Sequence, residues 1–336
     1  MEIVSNKPKH RDLSFDYMKG VLIFLVVWGH LIEFSLVDRS MIFFDTLRKI
    51  IYSFHMPLFV FISGWFFKAN EQIIYTAKKQ FSRLLIPQIS FVFLGSLIFL
   101  LFWDTYSCKF IENESFSIKG LYHFITFAWY LWCIFFCSLT VVTCKRFFHE
   151  KTKYVLIIIC TAMWLLVENL PGPFFNNQQV ARMLPCFCLG IVAAKKSVLL
   201  FKYQKQLIVI SLLVCIPYFI IIMLDPQKEL PGYLIRIPLQ FFPTCLAFFF
   251  IKKLFSLGIL NKLFLRWSQD TLFIYICHGF IIDLLSPFHL FFSFGSTAID
   301  YLFWGILSLT ICFILGSVSR IFRNHSWTKK FFLGER

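Results

Sequence analysis

The chain has 336 residues, of which 58% are hydrophobic, 20% aromatic and only 15% charged. A soluble chain carries about 25% charged residues, so these proportions exclude an ordinary soluble domain and point to a polytopic membrane protein. A net charge of +15 invites a nucleic-acid partner, but the cations fall between apolar stretches in a regular alternation, not in one basic patch.

Ten apolar stretches, near 15–37, 48–67, 84–103, 121–143, 154–168, 181–194, 206–224, 237–251, 270–287 and 298–319, predict transmembrane helices. The fifth and sixth are short, and without them eight remain with the same orientation. Lys7, Lys9 and Arg11 precede the first stretch, and Lys68, Lys78, Lys79 and Arg83 lie between the second and third. Every second connection thereafter is equally basic. Counted with Lys19, this side holds 25 of the 33 Lys and Arg. The other side holds Arg39, Arg48, Lys49, Lys109, Lys119, Arg182, Lys228 and Arg236. The positive-inside rule then places both termini in the cytoplasm. The expected fold is all-α: about ten transmembrane helices forming one integral-membrane domain over 1–336. No soluble domain is expected, because the longest loops, under about 20 residues, are too short to bury a core. The first apolar run lacks a small-residue cleavage site and is expected to remain as an anchor.

Ten of the 11 Cys lie in or at the ends of these stretches, leaving only Cys108 in an outer loop. With no C-x-x-C pair, neither a disulfide framework nor a metal site is expected. The 46 Phe read as lipid-facing and packing residues, and no internal repeat suggests duplicated transporter halves.

In the first stretch, Asp16, Lys19 and His30 share a face. Eleven steps at about 100° return to within roughly 20° of the starting azimuth and rise about 16 Å. One helix stripe therefore carries Lys19 near the cytoplasmic boundary and His30 in the outer half. Plainer roles exist for the first two: Asp16 caps the helix and Lys19 snorkels to headgroups. His30 is harder to dismiss, because ionisable groups in a span are costly and usually mark function. His55, in Phe54-His55-Met56-Pro57, lies at a matching depth in the second stretch. Two imidazoles at one level can bracket a reacting centre and move a proton near neutral pH. A structural imidazole bonded to a carbonyl is the plain alternative for His55. Pro57 and Ser63-Gly64 favour a bend or close helix packing there.

The third stretch opens with Lys78-Lys79-Gln80-Phe81-Ser82-Arg83-Leu84-Leu85-Ile86-Pro87. A basic cluster at a helix start suits phosphate, or anchors the chain against anionic lipid. Beyond it, Trp129-Tyr130-Leu131-Trp132 reads as aromatic-belt packing, and His278 as structural.

Together these segments resemble the acyltransferase 3 family of membrane-bound acyltransferases, particularly its small O-acetylating members acting on cell-surface polysaccharides. The resemblance covers nearly the whole chain. It rests on Asp16-x-x-Lys19-Gly20 with Gly29-His30, and on Phe54-His55-Met56-Pro57-Leu58-Phe59 with Ser63-Gly64. Weaker markers are Arg83-Leu84-Leu85-Ile86-Pro87, Trp129-Tyr130-Leu131, Pro185-Cys186-Phe187-Cys188-Leu189-Gly190, and Thr271-Leu272 leading to Tyr275 and His278. The family's basic-x10-His pattern fits Lys19 and His30. Its frequent Arg-x-x-Arg does not, because Gln80 stands at the first Arg position and only Arg83 remains. Lys79 supplies a neighbouring cation without the guanidinium fork.

The resemblance implies acetyl-CoA, or another acyl-CoA, as cytoplasmic donor and no metal. The acceptor would be a hydroxyl of a glycan or lipid-linked sugar at the outer face of a bacterial inner membrane, with membrane lipid and no nucleic acid as surroundings. His30 would be the general base or a transient acyl carrier, and His55 would orient it or stabilise an oxyanion. Lys19 and Arg83, with Lys79 beside them, would hold CoA phosphates, and Asp16 would position Lys19. Larger members carry an added esterase-like domain; residues 1–336 are expected to act without one. The alternative is a transporter, flippase or polymerase of polyprenyl-linked sugars.

Overall fold

Hydrocarbon offers no partner for backbone N–H and C=O groups, so an apolar segment crossing it pairs them internally as a helix. Accordingly, every described element is helical. The structure, a computed structural model, describes residues 12–35, 45–69, 72–101, 128–167, 177–224, 233–285 and 297–335. Cys108, residues 121–127 of the fourth expected stretch, and Lys7, Lys9, Arg11, Arg39, Lys109, Lys119 and Lys228 lie outside them.

The expected stretches carry α1 (Leu13–Ser35), α2 (Thr46–Trp65), α3 (Ile73–Gln80) running through a π turn into α4 (Ile86–Leu101), α5 (Trp129–Phe148), α6 (Thr152–Leu166) and α7 (Asn177–Lys195). After the short α8 (Ser197–Lys202) come α9 (Gln204–Leu224), α10 (Tyr233–Leu239) and α11 (Phe241–Ser256). They are followed by α12 (Asn261–Ser268), α13 (Thr271–Leu285), α14 (Thr297–Phe322) and α15 (Ser326–Leu333). Five described stretches are long and apolar enough to cross a membrane: Leu13–Glu33, Trp129–Leu166, Gln204–Ile221, Ile235–Ser256 and Ala298–Phe322. The third expected span begins earlier than its apolar run. Lys78 and Lys79 therefore stand in the last turn of α3, not at the start of a helix.

Helix α1 is the axis of the bundle. It packs on α2, α11, α12, α13 and α14, and 72% of its apolar window is buried, against 11% for α9 at the periphery. The close approach of α12 depends on Gly20, where a Cβ would collide with the backbone carbonyl of Phe264. The Tyr17 hydroxyl donates to the Ile259 carbonyl at 2.8 Å and pins the turn leading into α12. Helices α2 and α7 cross through a reciprocal glycine pair. A Cβ on Gly64 would strike the Phe187 carbonyl, and one on Gly190 the Phe61 carbonyl.

The His30 end of the bundle is tied by polar contacts. Asp45 caps α2 by accepting from the Arg48 N–H at 2.7 Å, and it also accepts from the Tyr301 hydroxyl at 2.5 Å. Trp28 donates its indole N–H to the Tyr301 carbonyl at 3.2 Å. Helices α1, α2 and α14 thus hold one another at the level of the histidines.

Candidate active site

Two polar regions lie along α1. The first is a cavity of about 730 Å³ at its N-terminal end, lined among others by Asp16, Lys19, Lys68, Lys79, Gln80, Arg83 and Arg323. All four residues expected to serve the donor, Lys19, Arg83, Asp16 and Lys79, therefore face one space. Lys19 donates to Asp16 Oδ1 at 3.4 Å, and its ammonium lies 5.1 Å from the centre of the Phe66 ring. Gln80 lines the same cavity.

Arg83 lines the cavity from within a local fault in its helix. Pro87 has no N–H to offer the Arg83 carbonyl four residues earlier. The ladder over Phe81–Leu85 slips to π spacing, with the Ile86 N–H donating to the Phe81 carbonyl. Such π turns occur frequently at functional sites. Gly334, in left-handed geometry at φ 63°, sits against the Arg83 carbonyl where a Cβ would clash.

The far wall was not expected. Arg323 donates through Nη1 to buried Asp270 at 2.5 Å and through Nη2 to the Gln269 carbonyl at 2.6 Å. It also reaches Glu335 at 3.0 Å, while Ser319 donates to Asp270 at 2.8 Å. In the sequence Arg323 is one of the cations that follow the last apolar stretch. Its position one residue past α14 gave no hint of a buried carboxylate 53 residues away.

Away from the cations the cavity turns apolar and aromatic, through Ile23, Met56, Phe59, Ser63, Tyr130 and Tyr275. Ser63 donates to the Phe59 carbonyl at 3.0 Å, and its oxygen lies 2.9 Å from the Tyr130 hydroxyl. The Tyr130 N–H, free at the start of α5, donates to the Tyr275 hydroxyl at 3.4 Å.

The second region is a histidine cluster close to two of these lining residues. Met56 follows His55 in the chain, and the Tyr275 ring is 5.9 Å from that of His278. His278 in turn lies 5.2 Å from His30, centre to centre. Tyr52 bridges the expected pair: its hydroxyl is 3.3 Å from His30 Nδ1, and its ring is 4.7 Å from that of His55. His55 and His278 are both buried. Each has Nδ1 against the carbonyl four residues earlier, Ile51 at 2.7 Å and Ile274 at 3.0 Å. A carbonyl only accepts, so both Nδ1 nitrogens carry a proton, and whenever either ring is neutral its lone pair is on Nε2. His278, expected to be structural, belongs to the cluster.

Sequence reading also passed over Glu33 and Arg48. Glu33 Oε2 lies 3.0 Å from His30 Nδ1. Arg48 donates to Glu33 Oε1 through Nε at 2.6 Å and Nη2 at 2.5 Å, with its guanidinium 4.2 Å from the Tyr52 ring centre. The signal was present: Glu33 is three residues from His30, and Tyr52 four from Arg48, both same-face spacings on a helix. Among the described residues, no group of three or more His, Cys, Asp or Glu is gathered in a way that could hold a metal.

A helical membrane protein with a basic cavity and, beside its Tyr275, a cluster of imidazoles is the class this geometry defines. The chain belongs to the acyltransferase 3 family: the family's model, described as an acyltransferase domain, matches residues 12–317. It is similar to nodulation protein NolL of Sinorhizobium fredii (strain NBRC 101917 / NGR234), with 29% identity over 201 residues covering 55% of this chain and 50% of the relative. It is also similar to nodulation protein NolL of Mesorhizobium japonicum (strain LMG 29417 / CECT 9101 / MAFF 303099), with 27% identity over 198 residues covering 55% and 48%. The chain spans about half the length of these curated relatives. No solved structure matches it.

Proposed function

We propose that the protein is a membrane O-acyltransferase that moves an acyl group, acetyl in the simplest form, from cytoplasmic acyl-CoA to a hydroxyl of an exported glycan or lipid-linked sugar. The observation that carries this reading is the closeness of the two regions. Lys19, Lys79 and Arg83 line the cavity, and Tyr275, which lines it with them, has its ring 5.9 Å from that of His278. Cations at the mouth suit the phosphates of a CoA. The apolar interior excludes water from a thioester, and the imidazoles supply proton transfer. His30 is the general base. His55 orients His30 or stabilises the developing oxyanion, and His278 lies beside His30. Placement in a bacterial inner membrane, with the Lys19 end inside, puts each substrate on its own side.

Isotope-labelled acetyl-CoA supplied to inside-out vesicles tests the reading. Label in a lumenal glycan supports acyl transfer. Sugar movement across the vesicle with no label in glycan would overturn it in favour of a transporter.

A further inference from the structure

Glu33 and Arg48 have no part in the reaction as described so far, and they carry the inference furthest. Glu33 is one helical turn beyond His30 on α1, with Oε2 3.0 Å from Nδ1. Arg48, from the first turn of α2, grips the other oxygen with two nitrogens at 2.6 and 2.5 Å. Arg48 is itself fixed, because its N–H donates to Asp45 at 2.7 Å and its guanidinium stacks 4.2 Å from the Tyr52 ring centre. A carboxylate engaged by a guanidinium is an acceptor only, so the proton between Glu33 and His30 resides on Nδ1.

We propose that Glu33 and Arg48 are positioning residues that lock His30 in the tautomer protonated at Nδ1, with its lone pair on Nε2, and so make it the base. This rests on the acyl-transfer reading. A carboxylate behind an imidazole fixes its ring and tautomer and stabilises the imidazolium formed when it accepts a proton. At Nδ1 the other two rings differ: His55 and His278 each have a neutral carbonyl there, where His30 has a carboxylate. Among the three imidazoles the Nδ1 partner therefore favours His30 as the base. In the step, the acceptor O–H proton moves to His30 Nε2 as its oxygen bonds to the acyl carbon. The carbon–sulfur bond then breaks, and the departing sulfur takes that proton back from Nε2. The imidazole ends neutral, and Glu33 keeps its charge throughout.

The test measures transfer of label from acetyl-CoA into the glycan fraction of membranes carrying each variant, over a range of acetyl-CoA concentrations. Glu33→Gln should lower the maximal rate about 10²–10⁴-fold with the half-saturating acetyl-CoA concentration unchanged. Glu33→Asp should recover part of the loss. Arg48→Lys should fall between parent and Glu33→Gln, because an ammonium lacks the fork. In a His30→Ala background, Glu33→Gln should remove nothing further. A full maximal rate in Glu33→Gln, or a further equal loss in the His30→Ala background, would overturn the proposal. If Glu33→Gln does not accumulate, Glu33→Asp decides: a lowered maximal rate with unaltered donor saturation supports the proposal, and an unchanged rate overturns it. A parental chain that incorporates no label overturns the acyl-transfer reading and this inference with it. Label with the parent that Glu33→Gln leaves undiminished overturns this inference alone.

Discussion

His30 is one side chain among 336 residues, yet removing it should separate chemistry from binding. It does not line the basic cavity, whose nearest expected donor-binding residue on α1, Lys19, lies about 16 Å away along the axis. His30→Ala should therefore lower glycan acylation by about 10²–10⁴-fold while acyl-CoA still binds, as equilibrium binding to detergent-solubilised protein would show. Unaltered acylation would remove His30 from the mechanism. Lys19→Ala and Arg83→Ala should behave oppositely. A hydrogen bond to a charged group contributes about 1.5–3 kcal/mol, so each should raise the half-saturating acyl-CoA concentration about tenfold or more with little change in maximal rate. Gln80→Arg, which restores a second guanidinium to the same wall, should lower it. The Lys19–His30 stripe was legible because helical periodicity turns residue spacing into geometry. Glu33 and Arg48 were not, although each has a same-face partner. Near the ends of apolar runs, charges read as boundaries, and only the packing of α1 against α2 brings them onto one another.

Elements show the same division. Apolar runs locate the long helices, since hydrocarbon compels a helix wherever the run is long enough. They do not locate α12 or α15, short helices with mixed sequences, such as Asn261–Ser268, that fall below span length. Nor do they say which glycines are contacts. In an exposed helix interior, Gly→Ala gains about 1 kcal/mol from propensity. At Gly64 and Gly190 the added methyl would meet a facing backbone carbonyl, which cannot rotate aside. Overpacking costs about 1–3 kcal/mol and outweighs the gain. Gly64→Ala and Gly190→Ala should each lower the thermal midpoint in detergent, and an unchanged or raised midpoint would show that the α2–α7 crossing is looser than described. Asp270→Ala should be worse. It removes the buried partner of Arg323 and Ser319 at the corner between α12 and α13. Breaking a buried pair costs about 3–5 kcal/mol; Arg323 keeps some solvent access, so the loss should fall near the lower end, read by the same melt.

Across the whole molecule, burial and charge make separate statements about how the chain sits. Burial grades from α1, with 72% of its apolar window enclosed, to α9, with 11%. A helix as apolar and exposed as α9 fits lipid contact. Charge supplies the direction. The basic connections include Lys68, Lys79 and Arg83, which line the cavity, so the same cations that orient the chain stand where a CoA would enter. Both demands meet only if the Lys19 end faces the cytoplasm. A reporter fused after Arg336 should then read cytoplasmic, and one inserted at Glu229, which lies outside the described residues, should read on the opposite face. The short fifth and sixth stretches do not affect this outcome, because they add or remove a pair of crossings together. Reporters on the same side would break the alternation between the seventh and last stretches and sink the ten-span arrangement. Opposite sides with the signs reversed would preserve the arrangement but place the basic cavity away from cytoplasmic acyl-CoA, and the proposed division of donor and acceptor between the two faces would fail with it.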